Sequence, residues 1–335
     1  MRILCLLDYH HRYPEWLWAH LPQVNDQLDF VIVPPAPPLG YLGSAPIHLR
    51  HALRRLRQGA YDLVLAWELK NGLAYALYRR LFNRCQPPFI ILSFAGRGLP
   101  AWLLRFALRS VDGLTVPSAL EASFSARHYG FPASRVLACP NGIYDDAPRL
   151  QAAMPAPSED YIFAGGYSKR DFKTLLQAVD GLDIPVKIIA PRRLLPSAAL
   201  HHPPSTLHYS LPTPRPQYWQ AMFAARLIVI PLQPAPYSAG LTDLQTAMSA
   251  ARPVIVTNTG GLAEYIEHGQ DGLLVPPGDP AALRQAILEL WNDPAACHRL
   301  GAAARQRYET QYAYEAFAQR TYAAVRQLLS AANPL

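Results

Sequence analysis

One stretch of the chain, FAGGYSKRDF (163–172), combines paired glycines with positive charge. Gly165 and Gly166 follow an apolar run that is typical of a strand, and Lys169 and Arg170 come just before an expected helix. Glycine lets a backbone approach a ligand closely, and cations beside a helix N-terminus favour an anion. The stretch therefore suits a phosphate-binding loop, although a surface turn with solvated charges is an alternative.

A second stretch, PYSAGLTDLQTAM (236–248), opens on a Ser-Ala-Gly loop that leads into an expected helix. Asp243 is the single carboxylate of this stretch, which contains no basic residue. The backbone N–H groups of Gly240, Leu241 and Thr242 would open the helix, and such groups hold phosphates well. We therefore predict a loop that holds a diphosphate through dipoles, with the cations supplied by the first stretch.

Alternating apolar runs and helical patterns position these loops. Six short strand candidates separated by helices precede an Ala- and Pro-rich linker, and six more follow it. This alternation predicts two Rossmann-like domains, each with a doubly wound parallel sheet, whose functional residues follow the strands. The expected domains are 1–148 and 159–310, joined by a linker at 149–158, and a helix in 311–335 is expected to cross back to the first domain.

The composition agrees with two sizeable cores. Of 335 residues, 50% are hydrophobic and only 16% are charged, and the length exceeds what one core usually covers. No apolar run approaches the roughly 20 residues of a membrane span, and the N-terminal apolar run is too short for a signal peptide. The four cysteines form no CxxC pair, so reduced thiols in a cytoplasmic enzyme are expected.

The net charge of +7 is concentrated in basic segments of the N-terminal half, at 48–57, 77–84 and 103–110. Because no aromatic-basic RNA motif or recognition helix accompanies them, we expect no nucleic-acid partner. Basic amphipathic helices also suit an anionic membrane surface or a charged acceptor. The alternatives are ordinary solvated helix faces or peripheral contact with the inner face of a membrane.

Three further segments establish a family resemblance. The runs AARPVIVT (250–257), GGLAEYI (260–266) and HGQDGLLVPPGDP (268–280) resemble, in order and spacing, the donor-binding half of the family 4 group of GT-B glycosyltransferases. The resemblance extends over about 110–325 and weakens toward the N-terminus. It implies a GT-B fold, with two Rossmann-like domains facing across a cleft, and a nucleotide-sugar donor bound by the C-terminal domain. The alternation of apolar runs and helical patterns also predicts a helix at 261–267.

The family usually carries two glutamates eight residues apart, and Ser238 and Thr246 stand at those positions. Gln245 or Thr246 could instead hydrogen-bond a ribose, because amides and hydroxyls also do so. Ser238 is either a sugar ligand or a helix N-cap. Asp243 either contacts a sugar hydroxyl or favours the helix N-terminus.

The resemblance implies roles for further residues. Arg170 and Lys169 are the expected catalytic cations, which would stabilise the departing diphosphate without a metal. Arg192 and Leu211 follow two later strands, where a nucleobase or phosphate could be reached, although Arg192 could equally be a surface arginine. The full set of expected donor-binding residues is Gly165, Gly166, Arg192, Leu211, Ser238, Ala239, Gly240, Leu241, Thr242, Asp243, Gln245 and Thr246.

Polar residues after the N-terminal strands are candidates for holding an acceptor. They are His10, His11, Glu68, Asn71 and Arg97. A zinc site at the adjacent histidines is disfavoured, because neighbouring side chains point apart and no further ligands are suitably spaced.

Together these observations predict a metal-independent glycosyltransferase that needs no cofactor besides its nucleotide-diphosphate sugar, and the family resemblance implies that it retains the anomeric configuration. The acceptor hydroxyl would belong to a carbohydrate, a lipid-linked molecule or a small molecule. Two alternatives stay open: a nucleotide-sugar epimerase of the same architecture, and a non-catalytic subunit that binds a nucleotide or a partner protein. The missing glutamates favour the second alternative over the first.

Overall fold

The chain divides into two compact units. The first comprises Met1–Asn141 and Phe317–Leu335, and the second comprises Gly142–Ala316. The computed structural model describes residues 1–7, 21, 24–33, 41–96, 99–142, 159–197 and 205–332. The expected linker at 149–158 lies outside these residues.

The first unit contains a parallel sheet of six described strands in the order β2-β1-β3-β4-β5-β6. Runs of apolar residues form these strands because both faces of the sheet are covered. The strands are β1 Arg2–Leu7, β2 Gln27–Ile32, β3 Leu63–Trp67, β4 Phe89–Leu92, β5 Gly113–Val116 and β6 Val136–Ala138. β2 is added on one side of β1 and β3 on the other, so the strand order reverses between β1 and β3, which is the switch point of this sheet.

The helices of the first unit follow its strands. They are α1 Tyr41–Gln58, α2 Leu69–Leu81, α3 Ala101–Leu108 and α4 Ala119–Tyr129, and residues from Phe317 onward add the last helix of the chain. That last helix packs on β5 at Gly113, where a Cβ would lie 2.9 Å from Leu328. Ser118 caps α4 by accepting the N–H of Glu121.

The second unit repeats this architecture with the strand order β12-β11-β10-β7-β8-β9, again all parallel. The strands are β7 Glu159–Gly165, β8 Val186–Ile189, β9 Leu207–Ser210, β10 Ala225–Ile230, β11 Val254–Thr257 and β12 Leu273–Val275. Its switch point lies between β7 and β10. The loops that leave these two strands therefore diverge there and open a crevice.

Helices again connect these strands. They are α5 Phe172–Val179, α6 Arg215–Ala224, α7 Leu241–Ser249, α8 Pro280–Asn292, α9 Pro294–Arg307 and α10 Tyr314–Ala332, with a π-helical turn at Tyr308–Tyr312 before α10. Asp171, Asp279 and Asp293 accept N–H groups at the starts of α5, α8 and α9. These caps place each helix start at the end of a strand or a turn.

The predicted fold class, with two doubly wound parallel sheets, is confirmed. The expected helix at 261–267 is wrong, because the structure has only a 3-10 turn at Ala263–Tyr265. Leu262 and Tyr265 are both turned into the core, and Ile266 is already extended. So short a segment gains too few hydrogen bonds to propagate a helix against this packing. Among the described residues, no helix is both long and apolar enough to span a membrane.

Candidate functional site

The loop after β7 folds the Arg170 side chain back against the end of its own strand. Its Nε donates to the Gly165 carbonyl at 2.5 Å, and one terminal nitrogen donates to the Ser168 carbonyl at 2.9 Å. The side chain is almost fully buried in spite of its charge. Lys169 makes the turn possible by adopting a left-handed backbone, with φ of 55°. Arg170 is therefore buried at the end of the sheet, whereas Lys169 is exposed.

The paired glycines are required by this arrangement. A Cβ at Gly165 would collide with the Tyr218 hydroxyl, and a Cβ at Gly166 would collide with the Arg170 guanidinium. Gly166 also has a φ of +109°, which side-chain-bearing residues rarely adopt. The glycines thus leave space for two protein side chains, which the sequence interpretation had attributed to a ligand.

The loop after β10 supplies the partner of Arg170. Gly240, with φ of 86°, precedes the first residue of α7, and Asp243 lies in the first turn of this helix. The Asp243 carboxylate forms an ion pair with a terminal nitrogen of Arg170. A charge-assisted hydrogen bond of this kind is among the stronger ones in proteins. It joins the two loops at the switch point.

A buried phenol completes this cluster. Burial, followed by the negative charge of Asp243, raises the pKa of the Tyr218 hydroxyl well above its ordinary value. The ring of Tyr218 packs edge-on against Phe163 of β7, with centroids 5.3 Å apart. Tyr218 therefore lies beside the Arg170–Asp243 pair, and its buried hydroxyl has no hydrogen-bond partner among the described residues.

The other expected donor-binding residues are distributed around the same end of the sheet. Ser238, Ala239, Gln245 and Thr246 are buried, whereas Thr242 is exposed beside the N-terminus of α7. Arg192 lies exposed on a 3-10 turn after β8. Leu211 follows β9 and is 57% exposed. Because β8, β9 and β10 are parallel strands of one sheet, the positions that follow them lie at the same end of that sheet.

Two acceptor-side candidates lie at the switch point of the first unit. Glu68 follows β3 with a φ of 75°, and its carboxylate is 3.1 Å from the Lys70 ammonium. Asn71 is buried, and its amide donates to the Trp67 carbonyl at 3.2 Å. A left-handed backbone at a glutamate is strained and is commonest at functional sites. The other three candidates, His10, His11 and Arg97, lie outside the described residues.

A second strained position lies beside Glu68. Ser93, directly after β4, has a φ of 46°, and its hydroxyl hydrogen-bonds the Asn141 side chain at 2.8 Å. The Glu68 N–H donates to the carbonyl of Leu92, the residue before Ser93. The ends of β3 and β4 are therefore locked together. In the part of the chain that is described, no three His, Cys, Asp or Glu side chains are grouped to hold a metal.

Family models match both units of the chain. The model described as Glycosyltransferase Family 4 matches residues 7–147, and the model described as Glycosyl transferases group 1 matches residues 159–293. The chain belongs to the family 4 type of glycosyltransferases. This membership confirms the resemblance that the sequence motifs had indicated.

Relatives of this glycosyltransferase match it over different lengths. It is 37% identical over 93 residues to the glycogen synthase of Mycobacterium tuberculosis, covering 28% of the chain and 22% of that protein. It is 26% identical over 298 residues to the D-inositol 3-phosphate glycosyltransferase of an Arthrobacter species, covering 75% of the chain and 68% of that protein. The matched segment thus spans only about a fifth of the glycogen synthase.

Solved structures share the fold of the glycosyltransferase along nearly its whole length. A sucrose-phosphate synthase from Thermosynechococcus elongatus matches with a TM-score of 0.74 at 17% identity. The match covers 99% of this chain and 100% of the synthase chain. HepE from Anabaena, solved in complex with UDP, has a TM-score of 0.67 at 16% identity and covers 97% of this chain and 100% of its own. The predicted GT-B fold is confirmed by these likenesses.

Sequence reasoning missed Tyr218 in the glycosyltransferase. This residue lies in α6, more than 40 positions after Gly165 and Arg170 in the sequence and well before Asp243. Nothing in its local sequence, RPQYWQAM, distinguishes it from an ordinary core tyrosine. The one usable signal was Gly165, because an unexplained glycine at a strand end indicates that something approaches closely.

Proposed function

We propose that the protein transfers a sugar from a nucleotide-diphosphate donor to an acceptor hydroxyl. One observation carries the proposal: the Arg170 guanidinium lies at the switch point of the second unit, beside the N-terminus of α7. In open α/β sheets this crevice is where ligands bind, and both groups attract anions. A diphosphate satisfies both of them at once.

The proposed role of Arg170 is to stabilise the departing diphosphate. Cleavage of the bond from the sugar to the phosphate leaves negative charge on the phosphate oxygens. Arg170, held by the Gly165 and Ser168 carbonyls, is a preorganised positive charge, and the first N–H groups of α7 add their dipoles. Lys169, on the same loop, would add a more distant charge. These groups supply the stabilisation without a metal ion in the proposed step.

Neutral groups would hold the rest of the donor. Ser238 and Thr246 offer hydroxyl groups at the two positions where relatives of this family carry glutamates, Gln245 offers an amide beside Thr246, and all three residues are buried. Such groups can hydrogen-bond a ribose or a sugar without adding negative charge next to the diphosphate. The structure of HepE with UDP, a protein of the same fold, supports a nucleoside diphosphate as the first ligand to try.

We further propose that the anomeric configuration is retained. An oxygen of the leaving diphosphate would take the proton of the acceptor hydroxyl while the acceptor attacks from the same face. This step needs no pair of protein carboxylates of the kind that hydrolytic enzymes use. Glu68 and Asn71 would position the acceptor, because they follow β3 at the switch point of the first unit.

Thermal melting with UDP, GDP, ADP, CDP and TDP tests the donor site. A nucleotide at 100 times its dissociation constant should stabilise the protein by about 2.7 kcal/mol. Arg170→Gln should lose this stabilisation, whereas Arg299→Gln, at an exposed residue of α9, should keep it. Release of the nucleotide from the matching nucleotide sugar in the presence of acceptors then tests transfer.

Two outcomes would reject the proposal. If no nucleoside diphosphate raises the melting temperature of the folded protein, the crevice does not hold a donor. If a nucleotide binds but no nucleotide sugar is turned over with any acceptor class, the chain is a non-catalytic binding subunit. The replacement of both family glutamates by Ser238 and Thr246 is the observation that favours this second candidate.

A further inference from the structure

The basic charge of the chain is segregated in one part of the first unit. Residues 30–111 contain 11 Lys and Arg residues but only two acidic ones, Asp62 and Glu68. This part therefore carries more positive charge than the net +7 of the whole protein. Helices α1, α2 and α3 contain no aspartate or glutamate at all. Two of these cations are paired, Arg79 with Asp112 at 3.0 Å and Lys70 with Glu68 at 3.1 Å, and an excess of positive charge still remains.

These three helices lie side by side on one face of the sheet. The strands that they connect, from β2 through β3 and β4 to β5, are all parallel and advance in one direction, which places right-handed crossovers on the same face. The Ser110 hydroxyl, after α3, donates to the Ala76 carbonyl of α2 at 2.6 Å. The Arg80 guanidinium lies 5.5 Å from the centre of the Phe106 ring. We call this surface the α1–α3 layer.

The outer side of the α1–α3 layer presents arginines in a helical stripe. In α1 the exposed residues recur at helical spacing, so they share one side of the helix. They are Pro46, Ile47, Arg50, His51, Arg54, Arg55, Arg57 and Gln58. Arg84 and Arg109 are exposed after α2 and α3. Exposed arginines thus occur on or directly after all three helices of the layer, and their charge is positive throughout.

Large apolar side chains are exposed among these cations. Leu81 and Phe82 are 68% and 64% exposed at the end of α2, and Trp102 is 69% exposed on α3. Ile47 on α1 is 41% exposed. Exposed residues of this size are costly in water unless another phase covers them. A polyanion such as nucleic acid would satisfy the arginines but would leave these side chains in water.

We propose that the α1–α3 layer docks on an anionic lipid bilayer. Phospholipid headgroups would pair with the arginines, while Phe82, Leu81 and Trp102 would enter the boundary between headgroups and acyl chains. This surface belongs to the first unit and the donor crevice to the second, so the proposal goes beyond the proposed function. It accounts for the charge and the exposed apolar residues together.

Flotation of the full chain with vesicles tests this surface. Vesicles of phosphatidylglycerol with phosphatidylcholine should carry the protein upward at low salt, and vesicles of phosphatidylcholine alone should not. Arg54→Gln with Arg57→Gln should weaken binding about 25-fold, since each arginine near such a surface contributes about fivefold. Phe82→Ser with Trp102→Ser should weaken it by about tenfold or more, at unchanged charge.

A matched control keeps the net charge of the arginine variant. Arg215→Gln with Arg299→Gln removes two exposed arginines of the second unit and should float like the parent protein. If the Arg215/Arg299 variant loses as much vesicle binding as the Arg54/Arg57 variant, the α1–α3 layer is not the binding surface. Flotation with neither vesicle type, or binding to duplex DNA that the Phe82 and Trp102 changes leave intact, would overturn the lipid proposal itself. Melting of each variant confirms that it is folded.

Discussion

Arg170 and Asp243 form an ion pair that joins the loop after β7 to the first turn of α7. Both side chains are largely buried, so each stabilises the charge of the other in a place where water cannot do so. The ion pair holds the guanidinium at the switch point before any donor arrives. Asp243 is therefore a positioning residue for Arg170 in the proposed transfer.

Replacing this carboxylate tests the positioning role. Asp243→Asn leaves the buried Arg170 charge without its partner, so we expect a loss of about 3 kcal/mol in unfolding free energy. A bound nucleoside diphosphate would supply the missing negative charge. The stabilisation by the nucleotide should therefore be larger in the variant than in the parent protein, while kcat/KM for transfer falls by at least about tenfold.

Asp160→Asn is the matched control for this experiment. Asp160 is 73% exposed and pairs with Arg226 at 3.3 Å, a surface pair that should contribute under about 1 kcal/mol. Urea denaturation of both variants, with and without nucleotide, gives the comparison. Equal stability of the Asp243 and Asp160 variants would show that the buried pair does not hold Arg170.

Gly240 should tolerate a side chain poorly. Its φ of +86° is strained for alanine, and an added Cβ would lie 3.0 Å from Ile230 and 3.3 Å from Arg170. We expect Gly240→Ala to destabilise the protein by about 2 to 3 kcal/mol and to weaken nucleotide binding. Thermal unfolding and nucleotide titration measure the two effects.

Gly130→Ala separates backbone strain from crowding. Gly130 has a φ of +66°, but no atom lies within 4 Å of the position of an added Cβ. This variant should lose only the strain of about 1 to 2 kcal/mol and keep its nucleotide affinity. If both alanine variants lose equal stability and bind nucleotide equally well, close packing at Gly240 has no role in the site.

The stability of the first unit should fall in alkali because of Tyr75. Burial raises the pKa of this phenol to about 12, from the ordinary value of about 10. The folded state therefore holds the proton while the unfolded state releases it. The contribution is complete below about pH 10 and is lost as the pH rises toward 12, at about 1.4 kcal/mol per pH unit.

Tyr75→Phe should therefore remove part of the alkaline loss of stability. Urea denaturation at neutral pH and near pH 11 gives the slope for the parent protein and the variant. Tyr167→Phe, at a side chain that is 76% exposed, is the control and should leave the slope unchanged. Parallel slopes for all three proteins would contradict the assignment of this effect to Tyr75.

Much of the fold could be predicted from local patterns. The strands are short apolar runs that both faces of a parallel sheet bury, and the described ones begin and end within a few residues of the predicted limits. The helix starts follow capping aspartates, such as Asp279 and Asp293 before prolines. The helix prediction for 261–267 was wrong because the burial of Leu262 and Tyr265, a tertiary effect, overrode the helical pattern of the segment.

The sequence by itself determined the family, the fold class and the glycines and arginine that meet at the switch point, because those features depend on local order and spacing. Only the tertiary structure decided what these residues contact. It paired Asp243 with Arg170, placed Tyr218 against Gly165, and buried Arg170 while leaving Lys169 exposed. Contacts between residues tens of positions apart depend on how whole strands and helices pack, and no local pattern records that packing.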